Sequence, residues 1–111
     1  MIVRLYSGDD GQSHFEDLNI PVGDVEHVAL RSGGEMEIRK YTEGRFGDWH
    51  TARRRHYVIV LSGSKELGIG DGTVRRLGPG DMLLADDMTG QGHTTRLVGN
   101  PYMSAHVPLP D

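Results

Sequence analysis

The chain has 111 residues, no cysteine, 16 glycines and a formal charge of −4. That length suits one domain around one core. The missing cysteines exclude a disulfide scaffold, a thiolate metal site and a cysteine nucleophile. Sixteen acidic against twelve basic side chains argue against a nucleic-acid footprint. The longest apolar run, residues 57–61, is too short to cross a bilayer. With no basic-then-apolar leader in view, the expected location is the cytoplasm, with neither nucleic acid nor membrane as partner.

Glycine makes up about 14 % of the chain, twice the usual ~7 %. It is costly inside helices and useful in tight turns, so the expected class is all-β. In chain order, residues 2–6 read as a strand and residues 7–13 as a turn or arm. Residues 1–24 form the N-terminal arm of a single domain spanning 1–111. Residues 25–30 are a second strand, followed by a turn at Ser32-Gly33-Gly34. Residues 36–41 alternate, with Met36 and Ile38 one way and Glu35, Glu37 and Arg39 the other.

Residues 42–49 read as a loop, and a strand runs from 54 to 62 until Ser62-Gly63-Ser64 breaks it. Residues 66–69 and 73–77 flank the hairpin turn Gly70-Asp71-Gly72. Gly78 to Asp81 turn the chain into a short buried strand at 82–85. The loop 86–92 leads to a strand at 93–98, Gly99-Asn100-Pro101 turns again, and 102–107 is the last strand. Eight or nine short strands suit a small antiparallel barrel or sandwich.

Six histidines stand at 14, 27, 50, 56, 93 and 106. If the strand is regular between them, His50 and His56 share a face, because six is even. That parity places Ala52, Arg54, Val58 and Val60 with them, and the valines mark it as the inner face. His93 opens a strand after a glycine-rich loop and shares its face with Thr95 and Leu97.

The pattern Gly44-x5-His50-x5-His56-x6-Gly63, then Pro79-Gly80-Asp81 and later His93, resembles the two motifs of the cupins. The first cupin motif is G-x5-H-x-H-x3,4-E-x6-G, on which Gly44, His50 and Gly63 fall in register. Ala52 replaces the family's second histidine, and His56 stands at its glutamate. The second-motif loop has no proline and about two extra residues, and the asparagine expected after its histidine is not found at Leu97. The run Asp86-Asp87-Met88-Thr89-Gly90-Gln91-Gly92-His93 is similar to the loop of a small single-domain cupin subgroup. The resemblance covers roughly residues 35–107. It implies a jelly-roll barrel (a double-stranded β-helix) and, in part, a metal site at His50, His56 and His93.

Three neutral imidazoles can hold a divalent transition metal (zinc, iron, nickel, copper or manganese) and leave positions for water or substrate. Asp86 or Asp87 would add a carboxylate if the loop folds back. Arg54 would then act as the catalytic-site anchor for a carboxylate substrate through a bidentate contact. The implied activity is that of a metal-dependent enzyme on a small organic acid: dioxygenase, decarboxylase, isomerase or lyase. The competing reading keeps the cavity and drops the metal, giving a small-ligand binding or sensing module, and Ala52 favours it. Small cupins often pair, so a homodimer is expected, with the arm around His14 packing on the barrel or on a partner subunit. Gly90 and Gly92 mark the loop expected to shape the site.

Overall fold

The computed structural model describes residues 1–19 and 36–110. The strand expected at 25–30, the turn after it and His27 lie outside the described residues. What is described is all-β, with eight strands. These are β1 (Ile2–Ser7), β2 (Ser13–Leu18), β3 (Glu37–Tyr41), β4 (Arg45–His50), β5 (His56–Gly68), β6 (Val74–Leu77), β7 (Met82–Asp86) and β8 (His93–Pro108). The sheet runs β2-β1-β7-β5-β8-β3, with β4 on β8 and β6 on β5. Only β1 and β7 pair in parallel; the other pairs are antiparallel. Among the described residues no pairing joins the two ends of this path, so the sheet is mixed and does not close into a barrel.

The amino terminus is not a loose arm. β1 and β2 form a hairpin, and β1 lies between β2 and β7 in the sheet. Alternation explains its place: Val3 and Leu5 are fully buried opposite Leu83 and Ala85 of β7. They join Val58, Val60, Leu67, Leu77 and Tyr102 in one apolar cluster. Each fully buried valine or leucine contributes about 1.5–3 kcal/mol.

The two longest strands, β5 and β8, differ most from expectation. Ser62-Gly63-Ser64 does not end a strand, and Gly99-Asn100-Pro101 does not turn the chain. Both segments are irregularities inside the β5–β8 pair, where the register shifts between Val60 and Ser64. Gly63 takes φ +73°, and a Cβ there would strike the Val98 carbonyl. Gly99 takes φ +140°, and a Cβ there would lie 2.9 Å from the Gly63 Cα. The two glycines therefore let the backbones pass close at one point.

A bulge of this kind reverses which residues face inward. Before it, even-numbered Val58 and Val60 are buried; after it, Lys65, Leu67 and Ile69 are. On β8, His93, Thr95 and Leu97 face the interior cavity before the irregularity, and Tyr102, Ser104 and His106 after it.

Two further differences follow from what lies opposite each segment. Residues 45–50 form β4 rather than a loop, because β8 offers them an edge from Leu97 to His93. On β3 the alternation is real, and its polar side faces inward: Ile38 is exposed, while Glu37, Arg39 and Tyr41 line the cavity. A polar interior can take the polar side of the strand.

Candidate functional site

A cavity of about 940 Å³ opens between β3, β4, β5, β7 and β8. Its walls carry Arg39, Arg45, Arg53, Arg54 and Lys65 against one carboxylate, Glu37. Four of the six histidines line it: His50, His56, His93 and His106. A chain of net charge −4 thus gathers positive groups around one hollow.

No regular strand joins His50 to His56, so the condition for their sharing a face by parity is not met. His50 ends β4, His56 begins β5, and residues 51–55 carry no strand between them. Each histidine reaches the cavity by its own route. His50 lies directly across from His93 in the β4–β8 pairing, with ring centroids 4.4 Å apart. Gly92 makes this approach possible. It takes φ +79°, and any Cβ there would run into the backbone of His50 and Thr51. The glycine loop does shape the site, as its position in the sequence suggested.

His93 is buried and donates from Nδ1 to Asp87 Oδ2 at 2.6 Å. Asp87 is fully buried, and the same oxygen accepts from Ser13 Oγ at 2.7 Å. Its main-chain carbonyl accepts from Ala52 N at 3.0 Å. Asp87 therefore ties β2, the 51–55 segment and His93 together. It holds the imidazole by the nitrogen turned away from Nε2, as a second-layer carboxylate does. His50 donates from Nδ1 to the Asp48 carbonyl at 2.6 Å. His56 donates from Nδ1 to the Arg54 carbonyl at 2.6 Å. In all three histidines the Nε2 lone pair is the one left over.

His56 pairs with a different neighbour, stacking on His106 with centroids 5.6 Å apart. His106 Nε2 bonds Ser104 Oγ at 3.0 Å, and its buried Nδ1 has no hydrogen-bond partner. Burial, followed by the charge of Lys65, pushes His106 down to about 3. Burial also lowers His56, against the opposing pull of its bond to Arg54. Both imidazoles are neutral at ordinary pH. Thr95 Oγ1 is likewise buried with no partner.

The three histidines expected to bind metal all line the cavity, and their anchored Nδ1 atoms suit ligation chemically. Their spacing does not. His50 and His93 form one pair and His56 belongs to another, and among the described residues no three His, Cys, Asp or Glu side chains gather as a metal ion requires. Asp87 reaches the site, through His93 rather than as a direct neighbour of the cavity's centre. Asp86 turns outward to Arg4 at 3.0 Å and Arg55 at 3.4 Å. His14 pairs with Asp10 and lies outside the cavity wall. Arg54 is on the wall, but Nε and Nη2 donate to the Leu109 carbonyl at 3.3 and 3.1 Å, fastening the carboxyl-terminal segment.

No family model and no curated protein matches this chain. No helix among the described residues is long and apolar enough to cross a membrane.

The sequence reading missed Lys65, and a signal for it was present. Val58 and Val60 are even-numbered, and Leu67 and Ile69 odd. That change of parity across Ser62-Gly63-Ser64 marks a bulge, and a bulge there turns Lys65 inward.

Proposed function

We propose that the chain is a small cupin-like domain whose cavity takes a small organic acid. The observation that carries this reading is a set of buried polar groups facing one hollow without partners. Thr95 Oγ1 and His106 Nδ1 have no hydrogen bond, and the charged side chains of the cavity wall are cationic save Glu37. A buried polar atom left unpaired costs about 1–3 kcal/mol, and a ligand that supplies the missing bonds recovers it. The cationic wall favours a carboxylate, and the cavity's size suits a metabolite. The Asp87–His93 pair offers a positioned base close to such a ligand, which fits isomerase or lyase chemistry on a carbon beside the carboxylate.

A second reading adds a divalent metal, and the anchored Nδ1 atoms of His50, His56 and His93 favour it. Movement of the 51–55 segment would be needed to bring His56 to the other pair. Calorimetric titration with malonate and lactate separates the two readings. Binding by chelator-treated protein, weakened about tenfold when Arg39 is replaced by alanine, supports the metal-free site. Binding seen only after zinc, nickel or iron(II) is restored supports the metal. No binding in either state overturns both.

A further inference from the structure

Lys65 is 9 % exposed and projects into the cavity from β5. Among the described residues it has no ion pair and no hydrogen bond. Its cross-strand neighbours are Leu77 and Leu97. The other buried side chains that can carry a charge have at least one partner: Asp87 has Ser13 and His93, and His106 has Ser104. A buried ammonium without a counter-ion costs several kcal/mol, so burial favours the uncharged amine. Burial, with Arg39 adding repulsion, holds Lys65 down to about 8 from the ordinary 10.5. An uncharged primary amine in a cavity is a nucleophile for carbonyl carbon.

We propose that Lys65 forms a reversible imine with a small 2-oxo acid bound in the cavity. The inference rests on the organic-acid reading above, which supplies the carboxylate end of the ligand. The neutral Nζ attacks the carbonyl carbon; an N–C bond forms and the C=O π pair moves to oxygen, which takes up a proton. Loss of a proton from nitrogen and of water from carbon then gives C=N. The sum is amine plus ketone going to imine plus water, with no oxidant or reductant. The wall that holds Lys65 suits the product as well. Arg39, on the same wall and bonded to Glu37 at 2.9 Å, would meet the carboxylate, and the neutral His56 and His106 add no further positive charge beside the imine nitrogen.

The chain carries its own controls. Its only other amines are Lys40, exposed on β3, and the amino terminus of Met1, bonded to Asp81. The full-length protein is incubated with pyruvate and sodium cyanoborohydride at neutral pH, and the reduced adduct is located by peptide mass mapping. Lactate, which has no ketone group, is titrated in parallel. The expected result is labelling of Lys65 at least tenfold faster than of Lys40, suppressed at Lys65, but not at the Met1 amine, by excess lactate. Lactate binding with no adduct, or with label spread evenly over the three amines, overturns the imine and leaves the organic-acid reading standing. Labelling of Lys65 by propanal but not pyruvate, with no lactate binding, overturns the organic-acid reading and leaves Lys65 as a reactive amine. Loss of the adduct in Lys65→Arg, with lactate binding retained, confirms the site without depending on activity.

Discussion

The two histidine pairs on the cavity wall are built on opposite principles. His50 and His93 are held by hydrogen bonds outside the cavity, donated to the Asp48 carbonyl and to Asp87. His56 and His106 are stacked among groups that burial has stripped of charge, beside a lysine with no counter-ion. In the first pair both Nδ1 atoms have acceptors, which fix orientation, although Asp87 Oδ1 is itself buried without a partner. The second tolerates unsatisfied ones, a state that natural folds retain mainly where a ligand or a reaction uses it. Stability should therefore rest on the first pair and be given up at the second.

The strongest way to break this contrast is Asp87→Ala. It leaves Ser13 Oγ and His93 Nδ1 without their acceptor in a fully buried place. The expected loss is about 3–4 kcal/mol, read as a lowered urea midpoint with unchanged slope. A loss under about 1 kcal/mol would show that Asp87 does not organise that side.

Acid should act through the second pair. His106 is held at about 3 in the fold against 6.5 when unfolded. The unfolded chain binds the extra proton between those values, so stability is complete above pH 6.5 and falls as the pH drops toward 3. That contribution is lost progressively across this window, and His56 adds in the same direction. Asp10, Asp17, Asp71 and Asp81 also have lowered values, but they begin from 3.8 and act below the histidine window. Chemical denaturation at pH 6.5 and 4.5 should therefore show a steep loss in the wild type and a shallower one in His106→Leu. Equal slopes would assign the acid response elsewhere.

The smallest effect sharpens the contrast by its sign. Lys65→Met should stabilise the protein by about 2 kcal/mol at pH 7, because it removes a buried amine that must lose its proton or its hydration. The folded value of Lys65 is depressed, so its cost is present below pH 8 and disappears as the pH rises to 10.5. The gap between variant and wild type, followed by thermal unfolding, should close over that range. A destabilised Lys65→Met would mean that the side chain is needed for packing rather than for chemistry.

Much of the fold was legible locally. The hairpin at Gly70-Asp71-Gly72 and the turn ending at Asp81 stand where their turn residues put them, because a positive φ at Gly72 and Gly80 is a one-residue property. Val3 and Leu5 alternate and are buried. His50 and His93 could be chosen from their place around glycine-rich segments, and they do meet. Less legible were the segments whose meaning depends on a partner strand. Gly63 and Gly99 carry the composition of turns and sit instead in the middle of β5 and β8. A turn and a bulge demand the same backbone freedom, and only the strand opposite distinguishes them.

By itself, then, the sequence determined the all-β class, the tight turns at Gly70-Asp71-Gly72 and at Gly78 to Asp81, the apolar alternation of β1 and the histidines worth watching. These depend on φ preferences and on period-two patterning, which act within a few residues. The tertiary structure decided that His56 pairs with His106, that Asp87 holds His93, and that Lys65 lies inside rather than outside. Those outcomes follow from register between β4, β5 and β8. A shift of one residue in a ladder reverses every side chain beyond it, and a strand taken alone records that shift only where, as across Ser62-Gly63-Ser64, its own apolar parity changes.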